Sequence, residues 1–329
     1  MTDRACRISI VICAYTEDRW PELMAAVESV RRQTLPPHEI ILVIDHNPQL
    51  LVRTHEQLRG CVVVENRQPR GLSGARNSGI EIASGNVIAF MDEDATAAPD
   101  WLERLIPYYD DDDVLGVGGT IKPTWLAGRP RWFPAEFDWV VGCTYRGLPE
   151  IPTPVRNLIG CNMSLRREAF QQVGGFRSGI GRIGVRPVGC EETELCIRLN
   201  QHQPQGRLLY EPRARVFHRV PKTRSSWRYF VARCYSEGIS KAIVSKFVGA
   251  ADGLSAERTY TFQTLPRGIG RGMWDTVRHG DLAGVARAGV IVIGLVVTAM
   301  GFLSGEVQQL LIARRMPELQ DRPASGMTE

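Results

Sequence analysis

From Arg7 to Asp92 the chain alternates apolar, β-branched runs with stretches of helical period, and few folds accommodate that alternation. "RISIVICAY" reads as a strand, and "WPELMAAVESVRRQT" after it sets Leu23, Val27 and Val30 on one helical face. Next come a strand "EIILVID", a helix around Leu51 to Leu58, a strand "CVVVEN", a Gly-rich turn "RGLSG", a helix "ARNSGIEIASG" and a strand "NVIAFMD". Strands interleaved with helices predict an α/β fold, a mostly parallel, Rossmann-like sheet covered on both faces. Ligands bind such sheets at the carboxyl ends of the strands. Asp45 and Asp92 stand where an apolar strand runs out, and Glu17 and Asp18 follow the first strand in the same manner. Acidic strand ends on one edge predict a polar mouth there.

Two acidic clusters compete for attention. Asp92 ends the strand "NVIAFMD" and Asp94 follows two residues on; on a strand alternate residues share a face, so the two are expected to point together while Glu93 points away. Two carboxylates so placed suit Mg²⁺ or Mn²⁺, which take oxygen ligands and keep positions open for substrate phosphates. Asp110 to Asp113 instead follow the helix "WLERLIPYY" and precede a strand, the setting of a solvated turn.

The second half is less regular. It holds a short strand "VLGVGGTI", a Trp- and Pro-rich stretch, "NLIGCNMSLRREAFQQVGGF", a Gly-rich loop "RSGIGRIGVRPVG" expected to act as a lid, and a helix start "CEETELCIRL". Trp125, Trp132 and Trp139 are expected to pack a loop rather than to form a sugar-stacking platform. The net charge of the 329 residues is only +4, which points away from nucleic acid. Between Pro212 and Gly272, however, twelve Lys or Arg face three acids. An uncharged run from Ala288 to Gly305 follows, flanked by Arg278, Arg287, Arg314 and Arg315. As a helix it reaches roughly 27 Å, borderline for a bilayer, and fits a span, an interfacial helix or a core helix. Contact with an anionic membrane surface is the expectation.

The eight cysteines form no C-x-x-C pair, and Cys13 and Cys61 sit inside apolar strands, so a reducing compartment is expected. "MTDRACRISIVICAY" runs straight into a strand without a small-residue cleavage site and does not read as a signal peptide. The expected location is cytoplasmic, at the inner face of the plasma membrane.

Over roughly residues 7 to 220 these segments resemble the family-2 glycosyltransferases, which have the GT-A fold. "ISIVICAYTED" looks like the family's first nucleotide-binding strand, and "SVRRQTLPPHEIILVID" like the helix and strand after it. "PRGLSGARNSGIEIASGNVIAFMDEDATAAPDWL" resembles its most recognisable block. "GCNMSLRREAFQQVGGF" is similar to its acceptor-side segment and "GCEETELCIRL" to its ED motif. The resemblance implies an inverting, non-processive transferase with a catalytic domain over 1–222 and a helical extension over 223–329. The substrates it implies are a nucleotide-diphospho-sugar donor and a saccharide, lipid-linked or small-molecule acceptor. Asp94, Asp92 and His218 would hold the metal. Ala14, Tyr15, Glu17, Asp45, His46, Gly71, Arg76, Asp92 and Glu93 would form the nucleotide-sugar site. Glu192 would be the base and Glu191 would orient the acceptor. One departure stands out: "IDHN" puts His46 where the family commonly has a second acid reading the base.

Three rivals make different demands on the sequence. A nucleotidyltransferase calls for a Gly-rich loop with a basic residue straight after the first strand, where this chain has "YTEDRW". A non-catalytic nucleotide-sugar binder predicts loss of the acidic constellation, which is present. A processive synthase needs several spans and a Q-x-x-R-W signature, absent from "SWRYFVARCYSEG".

Overall fold

A computed structural model of the chain describes residues 6–178, 180, 189–249 and 255–320. Nine strands form one sheet: β1 (Ile8–Ala14), β2 (Glu39–Ile44), β3 (Val62–Glu65), β4 (Val87–Asp92), β5 (Ala95–Ala97), β6 (Val114–Trp125), β7 (Thr153–Pro154), β8 (Met163–Arg166) and β9 (Arg207–Val220). Their order is β3-β2-β1-β4-β8-β6-β9-β5, with β7 on β9. The first four strands pair in parallel, joined by α1 (Trp20–Arg31), α2 (Pro48–Gln57) and α3 (Leu72–Ile82). This is the half that periodicity reads directly.

Beyond β4 the sheet is mixed: β8 runs antiparallel to β4 and β6, and β5 and β7 antiparallel to β9. The expected short strand over 114–121 extends to Trp125, because β9 pairs with it in parallel along almost its whole length. α4 (Trp101–Leu105), α5 (Arg167–Val173) and α6 (Glu191–His202) complete the layers.

Alternation along the strands separates two cores. In β1, Ile8, Ile10, Ile12 and Ala14 join the side packed by α1 and α4, whereas Val11 and Cys13 join the side packed by α5 and α6. Asp110 to Asp113 are exposed, as expected of a turn, with Asp111 beside Arg207. The tryptophans pack: Trp125 meets Phe133 edge-on at 5.1 Å, and Trp132 meets Phe230 at 5.8 Å. Trp139 donates to the Tyr260 hydroxyl at 2.8 Å.

Residues 223–249 and 255–320 add α7 (Trp227–Val248), α8 (Ser255–Thr259), a π-helical turn (Tyr260–Thr264), α9 (Leu265–His279) and α10 (Ala283–Gln320). Phe230, Leu265, Val290 and Ile291 from these helices share one core with Phe133 and Phe137. Over Ala283–Leu311, α10 is long and apolar enough to cross a membrane, although a third of its most apolar stretch is buried against the protein. Of the loop expected as a lid, 179 and 181–188 lie outside the described residues. So do the side chains of Arg314 and Arg315.

Candidate active site

The site begins where β4 ends. Strand alternation does not extend past Asp92, because Glu93 and Asp94 form a two-residue turn before β5. Glu93 therefore does not point away, contrary to the strand-based expectation: it is buried and accepts from Arg19 Nη1 at 2.7 Å, and the same nitrogen lies 3.2 Å from Asp94 Oδ2. β5 pairs antiparallel with β9 so that Ala95 faces His218. The Arg219 amide donates to the Asp94 carbonyl at 3.0 Å, which fixes the turn against β9.

This pairing sets His218 Nε2 3.2 Å from Asp94 Oδ1. Ligand atoms of Asp92, Asp94 and His218 all lie within 4.8 Å of one another. Two carboxylates and an imidazole on a partly buried floor are a donor set that suits Mn²⁺ or Mg²⁺. Arg224 Nη2 also approaches Asp94 Oδ2, at 3.6 Å. Burial alone would raise the Asp94 pKa, but His218, Arg224 and Arg19 together hold it well below the ordinary carboxylate range. That favours the ionised form of Asp94. Its neighbour Glu93 moves the other way, up to about 7, through burial and the adjacent Asp94 charge.

Asp45, at the end of β2, is buried and accepts from Asn66 Nδ2 at 2.6 Å and from the Gly71 amide at 3.0 Å. That second bond fastens the turn before α3, where Gly71 has φ +126°, a conformation that excludes ordinary side chains. A cavity of about 260 Å³ opens above it, walled by Ala14, Tyr15, Asp45 and Gly71 and floored by Asp92, Glu93 and Asp94. Arg19, Arg70, Arg224 and Arg233 also line it, so the mouth is far more basic than its strand-end acids imply. Glu17 is exposed in the turn after β1 and does not line the cavity; "YTEDRW" presents Tyr15 and Arg19 there instead. His46 is likewise outside it, half-exposed at φ +50° with Nε2 3.0 Å from the Gln68 carbonyl oxygen.

Arg76 is neither a surface cation nor part of that cavity wall. It is 3% exposed, sits against Phe90 and Phe176, and donates to Glu191 at 3.0 Å and to Asp92 at 3.4 Å. A second cavity, of about 240 Å³, lies on the Glu191 side and includes Glu192, Trp139, Arg156, Lys241 and Tyr260 in its wall. The two cavities meet at Leu72, Asp92 and Arg233.

Glu191 is engaged by Arg76, whereas Glu192 has no ion-pair partner among the described residues. Burial and the neighbouring Glu191 charge push the Glu192 carboxyl up to about 8. A carboxylate of that pKa is a strong base for its type, as proton abstraction near neutral pH requires.

Arg19, Arg224 and Arg233 escaped sequence reasoning. Arg19 lies one residue past the quoted acids, and Arg224 reaches the metal-ligand cluster only because the chain turns back after β9.

A mixed α/β sheet with a D-x-D turn and a histidine converging between two cavities defines a GT-A-type glycosyltransferase. Residues 9–174 match the model of glycosyl transferase family 2, and the chain belongs to that family. It is 38% identical over 242 residues to a glucosyl-dolichyl phosphate glucuronosyltransferase of Haloferax volcanii, covering 72% of this chain and 77% of the relative. The succinoglycan biosynthesis protein ExoM of Rhizobium meliloti is 25% identical over 72% of this chain and 75% of its own length. Among solved structures, a mannosyltransferase of Pyrobaculum calidifontis in complex with GDP-Man and Mn²⁺ shares the fold, with TM-score 0.54, 16% identity and 89% of each chain covered. GalNAc-T7 with UDP, GalNAc and Mn²⁺ matches with TM-score 0.50 at 22% identity; 72% of this chain covers 48% of that one.

Proposed function

We propose that the chain is an inverting enzyme that moves one sugar from a nucleotide-diphospho-sugar to a hydroxyl of a lipid-linked acceptor. The observation that carries this is the junction of the two cavities at Asp92, with Asp94 and His218 on one side and Glu192 on the other. The basic cavity over Asp45 and Gly71 takes the nucleotide and diphosphate, and the Glu192 cavity takes the acceptor. Glu192 removes the acceptor hydroxyl proton as that oxygen attacks the anomeric carbon. The bond to the diphosphate breaks on the opposite face, so the anomer inverts. Arg19 and Arg224, beside Asp94, bring positive charge to the diphosphate. Asp92, Asp94 and His218 would hold a divalent ion, which would supply charge stabilisation to the same leaving group.

The lipid-linked acceptor follows from the Haloferax volcanii relative, whose name gives a dolichyl phosphate glucoside as its acceptor, and from the apolar helix α10. On this reading the enzyme acts in cell-envelope glycoconjugate synthesis from the cytoplasmic side of the membrane. The test is a panel of nucleotide-sugars and polyprenyl-phosphate saccharides with Mn²⁺ or Mg²⁺. Transfer is read together with nucleoside diphosphate release, and the product anomer by NMR. A retained anomer would discard the single displacement, and transfer to water-soluble acceptors alone would discard the lipid.

A further inference from the structure

α10 presents two unlike faces. Gly284, Ala288, Ile291, Gly294, Gly301 and Gly305 recur at helical spacing and are buried. The contacts there are close: a Cβ on Gly301 would meet the Tyr235 carbonyl oxygen at 2.0 Å, and one on Gly238 the Thr298 carbonyl oxygen at 2.1 Å. A Cβ on Gly294 would strike Phe137 of the catalytic core at 2.4 Å. The seam of small residues therefore locks α10 along α7 and the core through the middle of its apolar run. The opposite face carries Val292, Val296, Met300, Leu303, Val307 and Leu310, all exposed. Large apolar side chains outside and glycines inside invert the pattern of a helix on a water-soluble protein.

A bilayer span is incompatible with this docking. Crossing the membrane at Gly294 to Gly305 would carry Phe137, Phe230 and the ionisable side chains of α7, Glu237 and Lys241 among them, into the hydrocarbon, where charges are costly. α9 adds the complementary feature. Trp274 is 63% and Val277 81% exposed, while Arg267 and Arg278 are exposed with no acidic partner among the described residues. The one acid of α9, Asp275, is tied to Arg287 at 2.9 Å. Exposed tryptophan and valine beside unpaired arginines match the apolar boundary and the anionic headgroups of a lipid surface.

We infer that α9 and the outer face of α10 lie in the plane of one leaflet of an anionic bilayer, and that α10 does not cross it. The exposed stripe, Val285 to Leu311, runs about 40 Å along that surface. α7 and the Tyr260 turn, which wall the Glu192 cavity, pack on the same helices, so an amphiphilic acceptor can present its head group there with its tail left in the leaflet. The inference refines the membrane contact of the proposed function and rests on it.

The full-length protein tests it in two ways. It should co-sediment with mixed phosphatidylglycerol and phosphatidylcholine vesicles. Trp274→Asp with Val277→Asp should weaken this by on the order of tenfold or more, and Arg267→Glu by about fivefold, with nucleoside diphosphate binding intact as the check on folding. Unchanged vesicle binding by the double variant overturns the assigned surface. Failure of wild type to bind vesicles, with a detergent-free dimer covering the stripe, overturns both the inference and the membrane contact. Separately, protease sites appended at each end of the chain should be cleaved together in sealed membrane vesicles. If one is cleaved at once and the other only after detergent, the helix crosses: the inference falls and the membrane contact stands.

Discussion

Arg76 and Glu191 form an ion pair at 3.0 Å with side chains only 3% and 5% exposed, linking α3 to the first turn of α6 in the wall of the Glu192 cavity. Because Arg76 also reaches Asp92, one buried cation ties the end of β4 and the start of α6 together. Replacing it should leave Glu191 buried without a counter-charge. Arg76→Met is expected to cost about 3–5 kcal/mol in denaturant unfolding. A loss below about 1 kcal/mol would mean the helices are positioned by packing alone.

The same pair distinguishes the two adjacent glutamates: Glu191 is held by Arg76, and Glu192 has no ion-pair partner among the described residues. Glu192→Gln should bind donor nucleotide as wild type does and lose transfer by about 10²-fold or more. Measuring nucleotide affinity beside transfer rates distinguishes this from a structural defect. Wild-type transfer in Glu192→Gln with a dead Glu191→Gln would exchange the assignments, and activity in both would place the base elsewhere.

Transfer should depend on pH through Glu192, whose carboxyl is held at about 8. On the proposed mechanism the ionised form is the base, so kcat/KM is expected to rise with pH and level off above that value. Glu191→Gln removes a raising charge and frees Arg76, and should shift the rise to lower pH. Stability moves oppositely. A carboxyl raised on folding loses stability as pH climbs from its unfolded value near 4.5 to about 8, so Glu192→Gln should be the more stable protein at pH 8. Thermal melts across that window check the sign.

Asp94→Asn should abolish divalent-dependent turnover and weaken Mn²⁺ binding measured directly by calorimetry. Neutralising Asp111 and Asp112 should do neither, because both are exposed in the turn before β6. Near-normal Mn²⁺ affinity in Asp94→Asn would move the metal away from the β4–β5 turn.

Gly71→Ala should impair donor binding more than it impairs folding. Alanine resists φ +126°, and the Gly71 amide that Asp45 accepts lies in the cavity wall. Nucleotide affinity should fall by about tenfold or more while the melting temperature drops only modestly. An unchanged affinity would show that the turn tolerates the side chain.

Local periodicity was enough to read β1 to β4 and their helices, since residues such as Ile10 and Val11 report by alternation which face of the sheet they serve. Asp92 and Asp94 were legible for a related reason: acids at the end of an apolar strand have only the ligand edge to occupy. The remainder depended on residues far apart in sequence. Glu93 turns into the cavity because the strand ends at Asp92 and its alternation does not carry on through the turn at Glu93 and Asp94. His218 reaches Asp94 through the β5–β9 pairing, which local propensity does not encode. Arg76 stands in the block that resembles the family's nucleotide site, but only the tertiary structure buries it on Glu191, and Glu192 has no ion-pair partner among the described residues. The run from Ala288 to Gly305 has the composition of a span. What composition does not encode is the glycine seam against Tyr235 and Phe137, which buries one face of the helix and leaves Val292, Val296 and Met300 exposed on the other.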